Sequence, residues 1–423
     1  MGSPPEPELE REAVRGRWAY VSGPIDAAKV YREWATNAAS DYFGTIYLKQ
    51  FYTLLAELDA DGLIITTRRG QVRREQLDRV TVVNVPLPND RTGIGFHLAM
   101  AAWALRCCYE IVRFRADIAL LTAGQDYFWL FRALRLWRVK LVASLHCTLW
   151  PKFAPKTPHK RLLDWLNGRF FYPVCDHIQG VSEEAVEQVR ASSPSLRAEP
   201  QRFVATYDRA RFAHIPPPEW PSPDKQFRLL YVGRLAVNKG VLDLVRIMAR
   251  LEESQPGRFA LDICGQGGAA QKLDDAIREA RLEHVIRVNG QCATDALARK
   301  YVECHAVVVP TRSDFEEGTP KVAFEAVLNL RPVVMSAVCP ALADVRAATI
   351  EPRVDDVEDY VRAIRELSDD PELYRAKSAA ADPCRQKHFD DRNSYGFVLG
   401  GALRKIADPP ESRRPAAVAR QPG

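Results

Sequence analysis

The sequence predicts an α/β protein made of two doubly wound parallel-sheet domains that face each other across a cleft. Three observations carry this. Strand-like and helix-like segments alternate through the first half of the chain, the alternation restarts in the second half, and a proline-rich stretch separates the two. At 423 residues the chain is too long for one ordinary core, and two domains of about 200 residues each are the natural division.

Residues 1–17 are polar and acidic with no apolar segment, which predicts a disordered lead-in and no secretory signal. The first domain is expected over 18–214. WAYVSGP (18–24) reads as a strand closed by Gly-Pro, and TIYLKQFYTLLAEL (45–58) as a helix broken by DADG before the strand LIITT. VTVVNVPLP (80–88) is a buried strand, HLAMAAWALRCCYEIVRF (97–114) a long helix, and ADIALLTAG (116–124) the next strand. A further helix leads to KLVASLH (140–146). CDHIQGVS (175–182) is a strand ending at a capping Ser182, and EEAVEQVR opens a helix with acids at its positive end. FVATYD (203–208) reads as a closing strand. IPPPEWPSPDKQ (215–226) has the composition of a stiff linker.

The second domain is expected over 227–407. Its strands are FRLLYVGR, FALDICGQG, VIRVNG, AVVVPTR and PVVMSA, with helices VLDLVRIMARLEE, AAQKLDDAIREARL, DALARKYVEC and VAFEAVLNL between them. The tail 408–423 is rich in Pro, Arg and Ala and reads as disordered. Ligands of such sheets sit beyond the carboxyl ends of the strands, so the cleft is the expected site.

Composition limits the function. No run of 18 apolar residues exists that could span a bilayer. The nine cysteines form no CxxC pair, which predicts reduced thiols in a cytoplasmic setting and no metal site. Residues 1–215 carry 29 Lys+Arg against 23 Asp+Glu, and the remainder 30 against 31. A basic first half suits an anionic partner, such as the inner membrane face or a phosphorylated acceptor, and equally an ordinary solvated surface. The cluster Trp150-Pro151-Lys152-Phe153 through Lys160-Arg161 leaves the same choice. No aromatic-interleaved basic stripe or helix-turn-helix pattern appears, so nucleic acid is not expected.

Four segments of the second half carry chemistry. YVGRLAVNKG (231–240) turns at Gly233, and Arg234 and Lys239 can neutralise a diphosphate near a helix start. ICGQGG (263–268) brings Gly265 and Gly267, which permit close backbone approach to a ring or phosphate, although alone they mark only a turn. In PTRSDFEEGTPKVAFEAVLNLRPVV (310–334), Pro320 fits the first helical position, leaving the amides of Lys321 and Val322 as a phosphate seat. Glu317 lies just outside that helix and Glu325 in its second turn; paired carboxylates suit sugar and ribose hydroxyls. Glu316 competes with Glu317 for the sugar. VIRVNGQ (285–291) supports the architecture only. Asp59-Ala60-Asp61 has the DxD form of a metal motif but sits in a helix-to-strand turn, and no metal is expected.

Together these strings resemble glycosyltransferase family 4, the retaining enzymes of the GT-B fold, in order and approximate spacing. The Glu–seven residues–Glu signature is met by Glu317 and Glu325. The resemblance implies Rossmann-like domains, a nucleotide diphosphate sugar as donor, and a glycan or lipid-linked glycan of cell-surface polysaccharide as acceptor. It implies that Arg234 and Lys239 grip the diphosphate, that Glu317 holds the sugar with Gly318 and Thr319 as adjoining backbone, and that Glu325 binds ribose. YFGT (42–45) matches the family's first glycine loop at Gly44, and His146 matches a histidine near the donor sugar. There are departures. Only one glycine remains at 42–45, TYDRARF replaces an Asn-Gly, Leu330 replaces a glycine after the signature helix, and Cys339-Pro340 replaces Gly-Gly. These keep open a catalytically silent relative that binds nucleotide sugar or serves as an assembly subunit.

Overall fold

The computed structural model describes residues 16–38, 46–88 and 91–407. Most of the predicted lead-in, the tail and Gly44 lie outside these residues. The first sheet contains β1 (Arg17–Val21), β2 (Asp61–Thr66), β3 (Arg73–Leu77), β4 (Val80–Asn84), β5 (Ile118–Leu121), β6 (Lys140–Leu145), β7 (His177–Gly180) and β8 (Gln201–Arg202). The second contains β9 (Phe227–Val232), β10 (Phe259–Cys264), β11 (Ile286–Val288), β12 (Ala306–Val309), β13 (Val333–Met335) and β14 (Thr349–Ile350).

Strands β5 and β12 are apolar and buried throughout, as expected where helices cover both faces of a parallel sheet. On β1 the period of two is visible: Ala19 and Val21 join the core under one helical layer, while Trp18 and Tyr20 join the core on the other face. The second sheet runs β11-β10-β9-β12-β13-β14, all parallel. Strand order therefore reverses direction between β9 and β12. In the first sheet, ordered β3-β4-β2-β1-β5-β6-β7-β8, the reversal falls between β1 and β5. Diverging connections at such a point open a crevice at the carboxyl ends of the strands.

Three expectations are corrected. β3 pairs antiparallel with β4 as an edge strand that the sequence did not announce. Residues 203–208 form no strand beyond a single bridge from Val204 to Ser394; the closing strand is β8, two residues earlier, and Phe203 packs edge-on against Tyr47 and Tyr395. The final helix, Tyr395–Ala407, lay within the second domain on the sequence reading. It crosses back, and Tyr395, Leu399 and Leu403 enter the core of the first sheet beside Trp18 and Phe51.

The glycine replaced by Leu330 has a structural explanation. Leu330 follows the helix Lys321–Leu328 at φ 60°, and the Arg331 amide bonds the Ala326 carbonyl at 2.9 Å, the αL closure that favours glycine. The side chain nevertheless fills the core. Both Leu330→Ala and Leu330→Gly lose that burial, but only glycine relieves the left-handed backbone. We expect Leu330→Gly to be the more stable of the two by about 1 kcal/mol, inverting the usual order of alanine over glycine. Paired denaturant titrations measure the difference.

Candidate functional site

The two switch points face each other. The loop after β9 carries Gly233 and Arg234, then a short turn ending at Lys239, before the helix Val241–Ser254. Gly240 caps that helix at φ 73°, where a side chain would collide with the Pro310 carbonyl, so the two loops after β9 and β12 lie backbone to backbone. Across this contact Lys239 Nζ forms an ion pair with Glu317, and Thr311 Oγ1 donates to the same carboxylate at 3.3 Å. Glu317 is only 7% exposed. Arg234 and Lys239 both stand over the ring of Phe315, at 5.6 Å and 4.2 Å from its centre. Phe315 thus gathers the two cations, a role the sequence reading missed; its one signal is an aromatic residue inside an otherwise polar loop.

Gly265 and Gly267 press against the backbone of Gly233 and Leu235, so they brace the loop after β9. Pro320 is the N-cap of the helix Lys321–Leu328 and not its first residue, a shift of one position from the expectation. Lys321 and Val322 occupy the first turn, at the positive end of that helix. Glu325 is buried, its carboxylate accepts from the Tyr301 hydroxyl at 2.7 Å, and burial raises its pKa. Tyr301 was not foreseen as its partner. Cys339, standing where the sequence suggested a Gly-Gly, is buried beside Thr311 and Glu317.

The loop after β12 meets the first domain directly. The Thr148 amide bonds the Glu317 carbonyl at 3.3 Å, and Thr319 Oγ1 reaches the Val181 carbonyl at 3.5 Å. A side chain at Gly318 would strike the His146 carbonyl. Glu316 turns the other way: its carboxylate lies 3.3 Å from Lys160 Nζ, and burial lifts its pKa while Lys160 opposes the shift. The neighbouring glutamates are thereby divided, Glu317 facing the cations of the second domain and Glu316 facing the first.

Opposite lies a cavity of about 600 Å³ at the switch point of the first sheet. Ser22 and Gly23 after β1, Thr122 after β5 and His146 after β6 line it, and Lys321 closes it from the second domain. Lys321 Nζ stands 4.8 Å from the Tyr47 ring centre. His146 packs against Tyr47, Phe203 and Tyr395, and its Nε2 lies 3.2 Å from Ser144 Oγ. Burial, reinforced by the Lys321 charge, lowers the imidazole to about 3. Folded His146 is therefore neutral from pH 5 to 8, whereas unfolded it would protonate near 6.5; its stabilising contribution is present above 6.5 and is lost as pH falls towards 3. We expect His146→Gln to leave the shape of the pH–rate profile between 5 and 8 unchanged. An ionisation that vanishes from the profile in the variant would show that His146 titrates during turnover.

Asp59 and Asp61 both pair with Arg79, at the amino end of β2 and away from the cleft. Among the described residues no group of three His, Cys, Asp or Glu side chains is placed to hold a metal ion.

Comparison with known proteins resolves the family. The model of glycosyl transferases group 1 matches residues 216–382, and that of the glycosyl transferase 4-like domain matches residues 44–206. The chain belongs to glycosyltransferase family 4. A glycogen synthase of Mycobacterium tuberculosis is 31% identical to this family 4 chain over 183 residues, 40% of this chain and 42% of that protein. An uncharacterized glycosyltransferase of Methanocaldococcus jannaschii is 31% identical over 115 residues, 27% of this chain and 28% of that one. The matched stretch thus spans less than half the length of these relatives.

Solved structures give the fold as GT-B over nearly the whole chain. The sucrose-phosphate synthase of Thermosynechococcus elongatus superposes with a TM-score of 0.67 at 16% identity, covering 93% of this chain and 99% of that one. Anabaena HepE in complex with UDP and glucose gives 0.63 at 14% identity, covering 92% and 100%. The trehalose-6-phosphate synthase OtsA gives 0.66 at 12% identity, covering 92% and 99%.

Proposed function

We propose that this glycosyltransferase moves a sugar from a nucleoside diphosphate sugar, with retention, to a hydroxyl of a glycan or lipid-linked glycan in cell-surface polysaccharide synthesis. One observation carries the reading. Arg234, Lys239 and Glu317 converge at the switch point of the second sheet, facing the cavity of the first. Arg234, Lys239 and the first turn at Lys321 and Val322 hold the diphosphate, Glu317 the sugar hydroxyls and Glu325 the ribose. The cavity receives the acceptor. The acceptor oxygen bonds to the anomeric carbon on the face from which the diphosphate departs, and the hydroxyl proton passes to a leaving phosphate oxygen. The nucleoside diphosphate is released, and the cations stabilise the charge that develops on it. The relatives support this reading: one is a glycogen synthase, and the HepE structure holds UDP and glucose. No metal is assigned a role.

The test is a panel of UDP-, GDP- and ADP-sugars, read first by melting temperature and then by release of nucleoside diphosphate with candidate acceptors. At a donor concentration 100-fold above its dissociation constant, stabilisation of about 2.7 kcal/mol is expected. Stabilisation without turnover against any acceptor would favour the silent relative. Absence of both stabilisation and turnover would reject the site.

A further inference from the structure

The first domain carries a surface that sugar transfer does not use. The helices Gly93–Arg113 and Pro158–Phe170 and the segment 128–137 between them in space all pack on one face of the first sheet. Met100, Trp103, Phe131 and Leu163 go into the same core. Their outward sides therefore form one layer. His97 meets His159 at 5.9 Å between ring centres, and the Arg132 guanidinium stands 5.7 Å from the Phe170 ring centre, which ties the three together.

This layer holds eight of the fourteen large apolar side chains exposed among the described residues. Ile94, Leu98, Leu105 and Tyr109 recur at helical spacing along one stripe. Leu136 and Trp137 lie beside it, and Leu162 and Trp165 extend it; Leu136 is 80% exposed and Trp165 57%. A soluble surface rarely gathers such side chains in one place without a partner.

The charge pattern selects the partner. Segments 93–113, 128–138 and 158–170 carry eight Lys+Arg against two Asp+Glu, and both acids, Glu110 and Asp164, are buried in ion pairs. The layer thus shows water its arginines and no carboxylate from these segments. A second copy would bring like charges together. An anionic surface that also admits apolar side chains satisfies both halves of the pattern, and tryptophan and arginine favour that interface.

We propose that this layer docks on a bilayer carrying anionic headgroups. The layer adjoins the cleft, since Lys160 in the first turn of Pro158–Phe170 contacts Glu316 of the donor loop. A docked molecule keeps the loop carrying Glu316 close to the lipid surface. The surface is independent of the transferase reading, and among the described residues no helix is long and apolar enough to cross a membrane.

The test is cosedimentation of the full chain with phosphatidylcholine vesicles, with and without roughly one-third phosphatidylglycerol, alongside the double variant Leu98→Glu/Trp165→Glu. Both positions are exposed, and an unchanged melting temperature and donor hydrolysis verify the fold. We expect at least about a tenfold preference of the native chain for anionic vesicles, weakened by salt, and a loss of about tenfold or more in the variant. Equal binding to both vesicles, equal binding by the variant, or a lipid-free dimer abolished by the variant would each overturn the proposal; the last would assign the layer to a second copy.

Discussion

Replacing Lys239 by alanine is expected to lower the rate of sugar transfer by about two to three orders of magnitude, the cost of removing one preorganised charge that faces a developing anion. The expectation rests on geometry. Lys239 ends the loop after β9, is held against Phe315, and is paired with the carboxylate that the proposal assigns to the sugar. A purely structural ion pair offers a different outcome. Glu317 is buried, and stranding it should lower stability whether or not Lys239 touches substrate. The double variant Lys239→Met/Glu317→Gln separates the two, because it removes both charges and leaves no stranded acid. Its melting temperature should recover towards that of the native chain while transfer stays low. Recovery of transfer along with stability would show that the pair serves the fold and that neither side chain carries transfer.

The parallel sheets were legible because segments such as Ile118–Leu121 and Ala306–Val309 are wholly apolar and bounded by glycine, proline or polar turns, which leaves a strand buried on both faces as the consistent reading. The edge strand Arg73–Leu77 was not, because RREQL has no apolar alternation and is held by its ladder to β4 across a turn with Asp78 at φ 47°. The return of the final helix left no local trace either. It is fixed by contacts such as the Tyr395 hydroxyl to the Tyr20 hydroxyl at 3.3 Å, between opposite ends of the chain, and periodicity carries no information about which sheet an apolar helix face will meet. At the site, the motif spacing named Lys239 and Glu317 as residues but not as each other's partner. It left Glu316 and Glu317 as rivals, and Glu316 is drawn away by Lys160, a helix residue of the other domain that no local pattern could supply.

Glu317→Gln should divide donor binding from transfer. The substitution keeps the shape of the side chain and removes its charge. If Glu317 holds the donor sugar, transfer should fall by about a hundredfold or more, since an amide cannot accept two hydroxyl donors in the bidentate manner of a carboxylate. UDP, or whichever diphosphate the panel selects, has no sugar for Glu317 to hold. The same carboxylate engages Lys239, so a diphosphate must compete with it for the ammonium. Removing the carboxylate frees Lys239, and the affinity for the bare nucleoside diphosphate should stay level or rise while turnover collapses. Calorimetric titration of the variant with nucleoside diphosphate and with nucleotide sugar reads the two effects separately. A parallel fall in both affinities would mean that the pair holds the loops after β9 and β12 together, and that the sugar is bound elsewhere. A rise in diphosphate affinity with lost transfer would instead show that Glu317 and a donor's phosphate compete for Lys239.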